Sequence, residues 1–126
     1  MQAVRSEEAP TPIGPYSQAI VHDGLVFVSG QLPINPKTGA IEGGTIEEQV
    51  LQAMKNLGAI LNACGSDYAG VLRCTVFLAD LSEFEGFNKV YGTFFVATPP
   101  TRSTIQAARL PCGAKIEIDA IAIQKK

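Results

Sequence analysis

Two short apolar stretches, Tyr16 to Val21 and Leu25 to Ser29, flank His22-Asp23-Gly24. An Asp-Gly pair supplies the positive φ of a tight turn, so this pattern predicts a β-hairpin. Upstream, Pro10, Pro12 and Pro15 remove backbone donors and hold the chain extended, which predicts a surface arm. Downstream, Pro33, Asn35-Pro36-Lys37-Thr38-Gly39 and Gly43-Gly44 make a turn-rich connection with room for at most a short strand around Ala40 and Ile41. Ile46, Val50, Met54, Leu57, Ile60, Leu61 and Cys64 then recur at helical spacing, opened by a Thr45/Glu48 capping box and closed by Gly65. Val71 to Ala79 reads as a buried strand. A second helix is expected from a Ser82/Glu85 capping box and from Phe84, Phe87, Val90, Tyr91, Phe94 and Phe95 on one face, halted by Pro99-Pro100. Thr101 to Ala108 and Lys115 to Gln124 read as strands joined through Leu110-Pro111-Cys112-Gly113, which carries hairpin-loop residues.

The order β-β-α-β-α-β-β predicts a single domain over 1–126: an α+β two-layer sandwich, mainly antiparallel, with both helices on one face of the sheet. The other face then needs a cover. Ile116, Ile118, Ala120 and Ala122 alternate with Lys115, Glu117, Asp119, Ile121 and Ile123, and Leu72, Cys74, Val76 and Leu78 alternate with Val71, Arg73, Thr75 and Phe77. Large apolar groups fall on both faces, so Phe77, Ile121 and Ile123 predict a homo-oligomer packed through the uncovered one.

Composition narrows the function. The 126 residues are 46% hydrophobic and 17% charged with a net charge of −2, and no apolar run approaches the ~20 residues of a membrane span. The N-terminal stretch lacks the apolar segment of a signal peptide and contains Glu7 and Glu8, so the expected location is cytoplasmic. A pI near 5.3 and scattered Lys and Arg argue against nucleic acid as a partner. Cys64, Cys74 and Cys112 form no Cys-x-x-Cys, and the lone His22 is expected in a solvated turn. No phosphate loop, dinucleotide fingerprint or metal-ligand spacing is present, so neither a cofactor nor a metal is expected.

Arg102 opens an otherwise uncharged strand, and Glu117 lies in Ile116-Glu117-Ile118. A guanidinium and a carboxylate at the margin of an apolar interface are costly unless they pair with each other or serve a ligand, and the pattern alone leaves both open. Gly14-Pro15-Tyr16-Ser17 and Ser29-Gly30-Gln31-Leu32-Pro33 each place a hydroxyl beside glycine at a strand end, where backbone can approach a ligand or simply turn.

Ile13-Gly14-Pro15-Tyr16-Ser17-Gln18-Ala19, Val28-Ser29-Gly30-Gln31-Leu32-Pro33, Asn35-Pro36-Lys37-Thr38-Gly39, Pro100-Thr101-Arg102-Ser103, and Ala108-Arg109-Leu110-Pro111 with Lys115-Ile116-Glu117-Ile118 occur in this order. Together they resemble the reactive intermediate deaminase (Rid) family over almost the whole chain. The resemblance implies a chorismate-mutase-like fold and a homotrimeric barrel with clefts between subunits. It also implies hydrolysis of 2-iminoacids, such as 2-iminobutanoate and 2-iminopropanoate, to 2-oxoacids and ammonia. Carried over by position, Arg102 is the substrate-carboxylate clamp and Glu117 handles the attacking water. Tyr16 and Ser29 line the cleft, and Gly30 contributes backbone. Many members have cysteine where this chain has Thr104. Two other functions share parts of the pattern. One is a module that captures small carboxylates without turnover. The other is an endoribonuclease or translation inhibitor, an activity also attributed to the family, against which the acidic pI and single histidine argue.

Overall fold

In the computed structural model, which describes residues 1–126, the strands are β1 (Gln2–Val4), β2 (Ala19–His22), β3 (Leu25–Gln31), β4 (Ile34–Asn35), β5 (Ala40–Ile41), β6 (Val71–Leu78), β7 (Thr101–Gln106) and β8 (Ile116–Ile123), with helices α1 (Ile46–Ala63) and α2 (Phe84–Tyr91). Six strands form one sheet in the order β1-β2-β3-β8-β6-β7, and β4 pairs with β5 separately. Every pairing is antiparallel except β6 with β7. That exception follows from the α2 crossover, which returns the chain in the same direction. The α+β architecture with two helices on one face of a mainly antiparallel sheet is as expected. No helix is long and apolar enough to cross a membrane.

The β2–β3 hairpin turns at Asp23 and Gly24 with φ of 50° and 78°. α1 carries the expected capping box: the Glu48 N–H donates to Thr45 Oγ1 and the Thr45 N–H to Glu48 Oε1, each at 3.1 Å. Its Val50, Ala53, Met54, Leu57, Ile60 and Leu61 join Val26, Val76, Ile116, Ile118 and Ala122 in a solvent-free core. Gly58 leaves space for the Tyr68 hydroxyl, which donates to the Met54 carbonyl at 2.7 Å. Asn56, buried in the same helix, donates to the Leu32 and Ile34 carbonyls at 3.0 and 2.8 Å, holding down the turn-rich connection.

Several details differ from the sequence reading. The last two strands are not a hairpin, because β6 lies between β7 and β8. β8 is buried on its core face at Ile116, Ile118, Ala120 and Ala122 and takes the sheet's interior, whereas β7, with Ser103, Thr104 and Gln106, occupies an edge. The Ser82/Glu85 box does not form. Asp80 accepts the Ser82 N–H at 2.9 Å and opens a short 3-10 turn, so α2 starts at Phe84 without a side-chain cap. In β6, Val71 pairs with Ala122 and Arg73 with Ile121, so Leu72 is an extra residue. This bulge turns Val71 into the core and leaves Leu72 exposed, reversing their expected faces. The arm also contributes β1, and the connection forms two short strands where at most one was expected.

The sheet face away from the helices presents Phe27, Ile105 and Ile123, all exposed, beside half-buried Phe77 and Ile121.

Candidate active site

A bulge in β3 builds the pocket. Val28 pairs with Ala120 and Gln31 with Ile118, so Ser29 and Gly30 together stand opposite Asp119. Bulges of this kind redirect side chains and occur often beside active sites. The Ser29 N–H donates to the Gln18 carbonyl at 2.9 Å and its hydroxyl to the Ser17 carbonyl at 2.6 Å, tying the bulge to the start of β2. Gly30 lies directly against Glu117: a Cβ there would fall on the Glu117 carboxylate and displace it.

The arm supplies the facing wall. Gln18 is buried; its side-chain oxygen accepts the Ser6 N–H at 2.6 Å and its amide donates to the Ser6 and Pro10 carbonyls at 3.1 and 2.9 Å. This clamp leads the chain back over the sheet end, where the Ile13 N–H donates to the Tyr16 hydroxyl oxygen at 3.3 Å. Ile13, Tyr16, Ser29, Gly30, Leu32, Pro111 and Glu117 enclose an open pocket of about 360 Å³. Four of the five expected site residues, Tyr16, Ser29, Gly30 and Glu117, therefore converge. Ile13, Leu32 and Pro111 were not anticipated as pocket walls; an isoleucine within the proline-rich arm predicted to lie on the surface was the available signal.

Glu117 is half-buried and makes no hydrogen bond or ion pair within the chain. Burial first, and the like charge of Asp119 second, raise its carboxyl above the usual range. Asp119 is itself held toward β6, accepting the Thr75 N–H at 3.2 Å. Such a carboxylate is a proton acceptor biased toward neutral pH. Replacing Asp119 with Asn removes the repulsion, so the acidic limb of a Glu117-dependent activity is expected to move to lower pH; a pH profile of kcat/KM checks this.

Arg102 does not join this pocket. In β7 it pairs with Cys74, whose partner in β8 is Ala120, whereas Glu117 pairs with Phe77. The two side chains lie on opposite faces of the sheet, two strands apart (roughly 10 Å) and three residues apart along the strands (also roughly 10 Å). A structural Arg102–Glu117 ion pair, left open by the sequence, is therefore not formed; Arg102 takes part in no ion pair. Instead its guanidinium carbon lies 5.5, 5.0 and 4.9 Å from the ring centroids of Phe84, Phe87 and Tyr91. Thr104, on the same side of β7, has a buried hydroxyl without a partner.

Cys64 and Cys74 are buried and Cys112 is exposed, all as free thiols. His22 lies exposed at the hairpin turn beside Asp23.

Residues 6–124 match the family model described as Endoribonuclease L-PSP. The chain is 48% identical to the chloroplastic Reactive Intermediate Deaminase A of Arabidopsis thaliana over 121 residues, 96% of this chain and 65% of that protein. It is 42% identical to the human 2-iminobutanoate/2-iminopropanoate deaminase over 123 residues, 98% of this chain and 90% of that one. Among solved structures it superposes on E. coli TdcF with bound serine at a TM-score of 0.94 and 39% identity, covering 99% of this chain and 100% of the other. With this fold, this pocket and matches of this extent, the chain belongs to the reactive intermediate deaminase family, whose family model carries the Endoribonuclease L-PSP description.

Proposed function

We propose that this protein hydrolyses small 2-iminoacids, 2-iminobutanoate and 2-iminopropanoate among them, to 2-oxoacids and ammonia, in clefts formed between the subunits of a homotrimer. The observation that carries this reading is that the chain holds an unpaired guanidinium and an unpaired, half-buried carboxylate on opposite faces of its sheet. The carboxylate carbon and the imine carbon of such a substrate are bonded neighbours, so both groups must act within a few ångströms. One chain does not bring them together, whereas Arg102 on the β7 edge of one copy can reach the Glu117 pocket of the next. The names of the relatives support the deaminase activity, and the TdcF complex with serine supports a small amino-acid-like ligand.

Arg102 presents two parallel N–H groups to the substrate carboxylate and so fixes the plane of the C=N bond. Glu117 takes a proton from water as the water oxygen bonds to the carbon of the protonated imine, whose C=N electron pair moves onto nitrogen, giving a neutral carbinolamine. The proton on Glu117 then passes to nitrogen, the C–N bond breaks with its electron pair leaving on ammonia, and the hydroxyl closes to the 2-oxoacid carbonyl as its proton returns to Glu117, which hands it to ammonia and is a carboxylate again. The Tyr16 hydroxyl, whose oxygen accepts the Ile13 N–H, keeps its own proton to donate to water or nitrogen. Ser29 has spent its proton on Ser17, so it serves as an acceptor. The chemistry needs orientation and proton transfer more than a strong nucleophile.

A coupled assay tests the activity: a threonine dehydratase generates 2-iminobutanoate, and its loss is followed with and without this protein. Accelerated loss supports the reading; an unchanged rate contradicts it. The exposed Phe27, Ile105 and Ile123 predict a trimer at micromolar concentration in sedimentation equilibrium, and a monomer would contradict that assembly.

A further inference from the structure

We infer that the aromatic face of α2, formed by Phe84, Phe87 and Tyr91, is a positioning device for Arg102: the rings fix the guanidinium plane and leave its N–H edge free for a carboxylate. This rests on the proposed role of Arg102 as substrate clamp. The three residues fall at i, i+3 and i+7, one stripe of the helix. Phe87 is solvent-free and Tyr91 nearly so, while Phe84 is 38% exposed. The stripe packs on itself and on one further ring: Phe87 and Tyr91 lie 5.1 Å apart between centroids, and Tyr91 and Phe95 4.8 Å, so the platform is held by the core.

A planar cation on an edge strand can be held in two ways. A carboxylate partner would hold it through its N–H edge and occupy the donors that the substrate needs, whereas aromatic faces hold it through the π surface and consume none. Arg102 has the second arrangement and no counter-ion. Burial pushes the Tyr91 hydroxyl well up, so it stays neutral and offers Arg102 no competing anion.

The test is a double-mutant cycle on the assembled protein, measuring kcat and KM with 2-iminobutanoate generated in situ, together with melting temperature and trimer mass. Phe84→Leu, at the most exposed ring, is the main variant and Phe87→Leu the second. Each is expected to lower kcat/KM by roughly three- to ten-fold, mostly through KM, as the loss of one ring from a cation implies. In an Arg102→Lys background, where the cation has no plane to hold, the ring substitution is expected to cost less than two-fold. An equal loss in both backgrounds, or no loss in a folded Phe84→Leu trimer, would overturn the inference while leaving the function standing. Near-normal turnover by Arg102→Lys alone would instead overturn the carboxylate-clamp role of Arg102 on which it rests.

Discussion

Arg102→Lys is expected to lower kcat/KM for 2-iminobutanoate at least ten-fold while the trimer and its melting temperature persist. The lysine keeps the charge but loses the two-pronged planar contact, so both binding and orientation of the imine suffer. A charge-assisted hydrogen bond contributes about 1.5 to 3 kcal/mol, and about 1.4 kcal/mol is already ten-fold. Stability should change little because Arg102 supports no ion pair whose loss would leave a buried carboxylate. Steady-state kinetics beside a thermal melt check both halves of this expectation; a destabilised fold with normal turnover would assign Arg102 a structural role.

Glu117→Gln should separate activity from stability even more sharply. Loss of the proton acceptor is expected to lower kcat by about 10²- to 10⁴-fold, the range for a positioned general base. The effect on folding has the opposite sign. The folded-state pKa of Glu117 is raised, so the native protein holds this proton more tightly than the unfolded chain. That contribution is fully present below the unfolded pKa and is lost as pH rises through the folded value, leaving a penalty at neutral pH. A neutral amide of the same shape removes the penalty, so the melting temperature at pH 7 should hold or rise and should depend less on pH between the two values. A marked drop in melting temperature at pH 7 would show that the ionised carboxylate is structural.

Much of the fold was legible because local signals agreed with tertiary packing. Thr45 and Glu48 announced α1, Asp23-Gly24 the first hairpin, and the alternation in Ile116 to Ile123 a strand with one buried face. The errors share a cause: they concern competition between partners that one sequence segment does not contain. Ser82 and Glu85 match a capping box, but Asp80 reaches the Ser82 N–H first. Leu110 to Gly113 match a hairpin loop, but β6 already flanks β8. The Leu72 bulge depends on cross-strand register, which no run of β6 residues displays.

The site was legible as a set of residues rather than as a geometry. Tyr16, Ser29, Gly30 and Glu117 were grouped by the family resemblance, and they line one pocket; the glycine and hydroxyls at strand ends did not by themselves announce the bulge that builds it. The separation of Arg102 from Glu117 was not visible, since it depends on β7 taking an edge and on Arg102 facing the helices. Phe84, Phe87 and Tyr91 read as an ordinary apolar helix face, and only the cation lying on them gives that face a second role.

The most direct measurement is complementation between two inactive subunits, one carrying Arg102→Ala and the other Glu117→Gln, assayed for 2-iminobutanoate hydrolysis alone and as mixed trimers. If the cleft takes its carboxylate from one copy and its guanidinium from the next, mixed trimers contain some clefts in which both native residues meet, and hydrolysis returns. If mixed trimers of correct mass stay as inactive as either parent, the two residues do not form a shared site between subunits, and the account is wrong.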